Sequence, residues 1–263
     1  MNPRFARIQF GDRVIEVEYV WLNAELTDAP VMVFLHEGLG SVSMWKDFPH
    51  KLCERLGVRG LLYSRPGYGR SSARPEGEQW LSNFMHRQAH EVLPELLERF
   101  GIERPWLFGH SDGGSIALLY ASRYECAGAI VLAPHILVED ISVTSIAAAR
   151  DAYLNTDLRE RLGKYHDDPD SAFWGWNRIW LDPAFRAWEI GEEIETIDCP
   201  LLAVQGLDDE YGTLEQIRGI ARRVPQTQLL EIPNCRHSPH KDQPQALLDA
   251  CDNFYRQHQQ AHT

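Results

Sequence analysis

No part of this 263-residue chain is apolar for long. The ~18–20 consecutive apolar residues that a bilayer-crossing helix requires are absent, so a helical membrane span is not expected. The first twenty residues, MNPRFARIQFGDRVIEVEYV, lack the apolar centre of a secretory leader, and none is expected. Positive charge is also scarce. Lys and Arg number 26 against 38 Asp and Glu, a net charge of −12. Such a surface repels phosphate backbones and anionic lipid, so neither nucleic acid nor a membrane is an expected partner. Cysteine is sparse and scattered: Cys53, Cys126, Cys199, Cys235 and Cys251 form no Cys-x-x-Cys pair. An odd number at wide spacing signals neither a zinc site nor a disulfide framework, and a reducing cytoplasm is the simplest compartment. Three motifs are missing too: the phosphate-cradling G-x-x-x-x-G-K-[ST], a G-x-G-x-x-G after a strand, and H-E-x-x-H. No metal and no cofactor is therefore expected.

What is present is the composition of a folded globule, 44% hydrophobic and 24% charged, which excludes general disorder. The length suits one large domain or one domain with an insertion. Arg4–Phe10 and Arg13–Val20 alternate around Gly11-Asp12 and predict a pair of strands joined by a turn. Val31–Leu35, Gly60–Tyr63, Trp106–Phe108 and Ala127–Leu132 are short apolar runs of the kind buried on both faces of a sheet. Helical patterns separate them: Trp45–Leu56, Phe84–Phe100 with Pro94 inside it, and Gly113–Tyr124. Strands alternating with helices predict an α/β fold, a mostly parallel central sheet with helices on both faces. The rhythm stops at Pro134. From His135 to Ile197 the chain is acidic, aromatic-rich and helical in pattern, most distinctively at FWGWNRIWLDPAF (Phe173–Phe185). It resumes at Leu201–Val204, Leu214–Val224, Gln228–Ile232 and Ala246–Gln257. The expected organisation is a core of residues 1–134 and 198–263, with 135–197 as an insertion between two strands of one sheet. The polar tail RQHQQAHT is expected to fray.

Gly109-His110-Ser111-Asp112-Gly113 fits G-x-S-x-G between a predicted strand and a predicted helix. The physics explains the pattern. A serine between buried strand and helix sits on a sharp turn, where side chains at the flanking positions would clash. The turn lifts the hydroxyl off the sheet, and the helix aims free N–H groups and its positive end at the same place. The N–H of Asp112 can then donate to a developing oxyanion.

Five segments together resemble the α/β-hydrolase superfamily over nearly the whole chain: HEGLG (His36–Gly40), SRPGYGRSS (Ser64–Ser72), GHSDGG (Gly109–Gly114), GLDDE (Gly206–Glu210) and NCRHSP (Asn234–Pro239). The resemblance implies an α/β-hydrolase fold with an inserted helical cap, and the chain order nucleophile, acid, histidine. Ser111 would be the nucleophile. His237 in RHSP resembles the family's histidine motif, with Arg236 in place of its usual glycine, and would be the base; His240 is the competitor. The family's acid stands three residues after the glycine, which selects Asp209 over Asp208 and Glu210. HEGLG resembles the family's H-G-x-x-G loop with Glu37 in place of a glycine. It implies an oxyanion hole from the N–H groups of Gly38 and Asp112, with Leu39 second, and a Glu37 side chain that points away. SRPGYGRSS is read as a structural turn. His135, Trp174 and Trp176 are the candidate substrate contacts, although the aromatic residues here also suit a small core of their own.

The function implied is a serine hydrolase working through an acyl-enzyme on small or medium carboxylic esters. The same residues would serve a C–C bond hydrolase, an amidase or peptidase, or a cofactor-free perhydrolase. A hydrolase-like small-ligand receptor with little turnover is the rival from another class. The expected partner is a small-molecule substrate, and a homodimer is left open.

Overall fold

The computed structural model describes residues 3–259. Arg4–Phe10 (β1) and Arg13–Leu22 (β2) pair antiparallel with Phe10 opposite Arg13, so Gly11 and Asp12 make a two-residue turn. Gly11 has φ +60°, the left-handed conformation such a turn requires. The later strands are Val31–Leu35 (β3), Arg59–Tyr63 (β4), Trp106–His110 (β5), Gly128–Leu132 (β6), Leu201–Gly206 (β7) and Thr227–Ile232 (β8). They form one eight-stranded sheet in the order β1-β2-β4-β3-β5-β6-β7-β8. Only β2 runs against the others.

The short apolar runs are buried on both faces because each serves two cores. In β3, Val31, Val33 and Leu35 enter one, while Met32 and Phe34 enter the other. The helices of the core are Phe48–Leu56 (α1), Phe84–Arg87 (α2), Leu93–Phe100 (α3) and Asp112–Ala121 (α4). Between β6 and β7 lie Asp140–Asn155 (α5), Leu158–Leu162 (α6), Pro169–Trp180 (α7) and two 3-10 turns, Pro183–Ala187 and Glu193–Thr196. Glu215–Arg223 (α8), Pro239–Asp242 (α9) and Pro244–Gln259 (α10) are the last helices among the described residues. Phe48 and Leu52 of α1 meet Leu247, Cys251 and Phe254 of α10 under one face of the sheet. Residues of α3, α4 and α8 pack on the other.

Three elements differ from expectation. The Trp45–Leu56 helix is split, because Lys46 takes φ +57° after a 3-10 turn at Val42–Trp45, and the α-helix starts only at Phe48. The Phe84–Phe100 helix contains a π-helical turn, Gln88–Val92. Pro94 has no N–H to offer the carbonyl four residues earlier, that of His90. That carbonyl takes a long bond from the Tyr124 hydroxyl at 3.5 Å instead. The tail is helical as far as Gln259, and the remainder of RQHQQAHT lies outside the described residues.

The segment between β6 and β7 adds no strand to the sheet. Its isolated ladder contact is the bridge between Leu137 and Glu189. All five cysteines are buried and free of disulfides. Among the described residues no helix is long and apolar enough to cross a membrane.

Candidate active site

Ser111 sits between β5 and α4 with φ +53°, a left-handed conformation rare for a residue with a side chain. Holding it there costs on the order of 1–3 kcal/mol, offset by the surrounding packing. The two glycines of the motif are sterically required. A Cβ on Gly109 would lie 2.3 Å from the carbonyl oxygen of Gly113, and one on Gly113 would lie 2.0 Å from that of Leu35. The Ser111 N–H donates to the Leu132 carbonyl at 2.8 Å, which ties the turn to the end of β6.

His237 follows β8 and reaches back to this serine. Its Nε2 stands 2.9 Å from Ser111 Oγ, and its Nδ1 stands 2.9 and 3.0 Å from the two carboxylate oxygens of Asp209. A carboxylate only accepts, so Nδ1 carries the proton and Nε2 is free to accept from the serine hydroxyl. Asp209 follows β7 and is buried. It also accepts the Tyr211 N–H at 2.8 Å and the Gln205 amide at 3.1 Å. Burial alone would raise its pKa, but the bond to His237 and that ring's charge outweigh it and hold the carboxyl below its ordinary value. The competing residues are placed elsewhere. Asp208 is exposed. Glu210 accepts the His237 N–H at 3.2 Å and pairs with Arg236 at 3.0 Å. His240 is buried against Trp45 and Phe48, where desolvation pushes its pKa down to about 2.

Gly38, Leu39 and Asp112 stand together on the cleft above Ser111. Arg65, itself 1% exposed, donates to the Glu37 carbonyl at 2.8 Å. Because a trans peptide sets its C=O and N–H on opposite sides, this turns the Gly38 N–H away from Arg65. His166 holds the Leu39 carbonyl at 2.9 Å. Gly38 must be glycine, since a Cβ would lie 2.2 Å from Trp176 Nε1. The Glu37 carboxylate folds back over Gly40 toward His110 and Lys241, and part of it still borders the cleft. Asp112 is fully buried. Desolvation raises its pKa to about 6, against the opposing pull of Arg65 at 3.9 Å and a 3.2 Å bond from Trp180 Nε1.

The cleft encloses about 200 Å³, and Ile146, Trp176, Trp180, His135 and Tyr211 also line it. His135 is 2% exposed, its ring edge-on to Trp180 at 4.8 Å. Burial pushes its pKa down to about 3, so it is neutral near pH 7. Trp174 is a correction: it does not line this cleft. It packs on Phe173 and Tyr153 and borders a separate crevice with Arg74 and Trp80. Successive helical residues are ~100° apart, so positions 174 and 176 point to nearly opposite sides of α7. The residue sharing the face of Trp176 is Trp180, four positions on, which sequence reasoning did not select although the i, i+4 spacing marks it. Arg65, Tyr211 and the Glu37–His110 contact were also missed. A larger hollow of about 350 Å³, bordered by Lys46, Arg70 and Lys164, contains none of the residues around Ser111. Among the described residues no group of three or more His, Cys, Asp or Glu could hold a metal ion.

The model of the alpha/beta hydrolase family matches residues 32–250. The chain is 24% identical to a mouse (Mus musculus) sn-1-specific diacylglycerol lipase over 92% of its own length and 86% of that protein's. It is 26% identical to a bifunctional esterase/perhydrolase of Acinetobacter calcoaceticus, over 80% of this chain and 86% of that one. Among solved structures, a carboxylesterase of Nitrososphaera gargenis superposes with a TM-score of 0.79 at 15% identity, over 97% of this chain and all (100%) of the other. A proline iminopeptidase of Mycobacterium smegmatis gives 0.77 at 16% identity, over 99% and 100%. With the sheet order, the strained serine turn and a family match across most of its length, the chain belongs to the alpha/beta hydrolase family.

Proposed function

We propose that this hydrolase cleaves small to medium carboxylic esters with Ser111 as nucleophile. The observation that carries this is the unbroken hydrogen-bonded chain from Asp209 through His237 to Ser111 at the cleft floor. An alcohol is a weak nucleophile at neutral pH and needs such a base within bonding reach. His237 Nε2 takes the proton as Ser111 Oγ attacks the ester carbonyl. Asp209 holds the ring in its productive tautomer and stabilises the imidazolium. The N–H groups of Gly38 and Asp112, with Leu39 adjacent, receive the negative charge that forms on the carbonyl oxygen. His237 then protonates the departing alkoxide, and a water activated by the same ring releases the acid and restores Ser111.

Residues 135–197 serve as the cap over this site, with Ile146, Trp176 and Trp180 as its apolar inner surface and His135 as a buried, neutral polar contact. A space of about 200 Å³ suits a short acyl group better than a long lipid chain. The esterase and the lipase among the relatives support an ester, and the proline iminopeptidase among the similar structures keeps a peptide bond as the second reading.

A fluorophosphonate probe followed by peptide mass spectrometry tests the nucleophile. Labelling at Ser111 is expected, with none in Ser111→Ala. A folded wild-type protein that resists the probe and leaves a panel of C2–C8 4-nitrophenyl esters untouched would return the assignment to a ligand-binding role.

A further inference from the structure

His237 stands on the loop after β8, whereas Ser111 follows β5. Two strands, β6 and β7, lie between them in the sheet. Three inter-strand steps of ~4.8 Å mean that the histidine loop must reach back about 14 Å. The sheet ladder ends before this loop and cannot fix that reach. Resting on the ester-hydrolase assignment above, we propose that Glu37 and His110 are positioning residues that clamp the histidine loop onto the nucleophile turn.

The geometry has three parts. His110, directly before Ser111, places its Nε2 2.7 Å from the backbone carbonyl of His237. A carbonyl only accepts, so His110 Nε2 carries a proton and donates. The other ring nitrogen, Nδ1, is buried without a hydrogen-bond partner, and its acidic neighbour is Glu37 Oε2 at 3.6 Å. Burial lowers the ring's pKa, so Nδ1 is an unprotonated acceptor like the carboxylate. Glu37 only packs beside it, and the attraction Glu37 makes is to Lys241. Glu37 itself cannot swing freely. Its carboxylate lies against Gly40, where a Cβ would meet Oε2 at 2.5 Å, and its other oxygen faces Lys241 Nζ at 3.7 Å.

Lys241 belongs to α9, the helix that begins two residues after His237. The Glu37 carboxylate therefore lies between the loop after β3, the last residue of β5 and the helix after β8. These segments adjoin the oxyanion donors, the nucleophile and the base. The imidazole of His237 is steered by Asp209, its N–H is held by Glu210, and its carbonyl is held by His110.

The test compares His110→Ala, His110→Gln and Glu37→Gln with wild type, each checked for native circular dichroism. A loosened base costs turnover rather than ground-state binding. His110→Ala is expected to lower kcat by about tenfold or more with KM within about twofold, and to slow fluorophosphonate labelling in parallel. His110→Gln keeps an N–H that can reach the same carbonyl and should recover a substantial part of the loss. Glu37→Gln should lower kcat by roughly three- to tenfold, again without a rise in KM. A folded His110→Ala variant with wild-type kcat overturns the proposal, as does equal damage in His110→Ala and His110→Gln. If His110→Ala does not fold, Glu37→Gln decides, and an unchanged kcat there counts against the clamp. Wild-type labelling and ester turnover serve as the control. Their absence would defeat the ester-hydrolase assignment itself, whereas their presence beside an unaffected variant defeats the clamp alone.

Discussion

Between Asp208 and Asp209 the chain passes from solvent to interior. Asp209 meets two nitrogen donors besides His237, while the Asp208 N–H is used in the main-chain bond to the Cys235 carbonyl at 2.9 Å and its carboxylate stays in water. Asp209→Asn should lower kcat by about 10³–10⁴, because an amide cannot hold the same histidine tautomer, and Asp208→Asn should stay within a few-fold of wild type. Steady-state kinetics on one ester settles the pair. Asp112 offers a pH prediction. Its carboxyl rises from 3.8 to about 6 on folding, so between those values the native state binds more protons than the unfolded one. Stability therefore falls as pH rises through this window, by up to about 3 kcal/mol for a shift of roughly two units. Asn at this position has nothing to titrate. In urea melts, Asp112→Asn should gain on wild type by that amount between pH 4 and pH 7, whatever its starting level. A constant difference across the range would show that Asp112 does not titrate there.

At the scale of elements, α7 has two aromatic faces with separate duties. Trp176 and Trp180 face the cleft, and Trp174 faces Phe173 and Tyr153. Trp176→Ala should widen the cleft and raise kcat/KM for an octanoyl relative to a butanoyl ester by about tenfold. Trp174→Ala should lower the melting temperature and leave that ratio alone. The sequence carried the composition of this helix but not its rotation about its own axis, which placed Trp174 in the wrong group. Elsewhere the sequence was more explicit. The four short apolar runs and the serine turn were legible because burial on two faces and glycine sterics leave few alternatives. The breaks at Lys46 and at Gln88–Val92 were harder to see. One depends on a left-handed lysine, and the other on the missing N–H of Pro94, a cause that was visible although its π-helical result was not.

On the whole-molecule scale, order along the chain and order in the sheet differ, and the site exists only because of that difference. The motifs around residues 36, 111, 209 and 237 lie at the ends of β3, β5, β7 and β8, gathered at the carboxyl edge where parallel sheets place their ligands. Pattern could name these positions. The contacts among them, such as His110 with the His237 carbonyl, depend on a three-dimensional reach that no local pattern encodes. The five cysteines test the integrity of the whole. All are buried, and desolvation raises Cys53 and Cys235 to about 12. A thiol-reactive dye should therefore titrate almost none of them in the native protein and all five in denaturant. Rapid reaction of one thiol under native conditions would reveal local opening at that position.

Ser111 precedes His237 by 126 residues along the chain. At ordinary rates of synthesis the alcohol leaves the ribosome on the order of ten seconds before the imidazole proposed to activate it. On the proposed mechanism, a nascent polypeptide carries the reactive group in a chemically mute form, and hydrolytic power arrives only once residue 237 has been added.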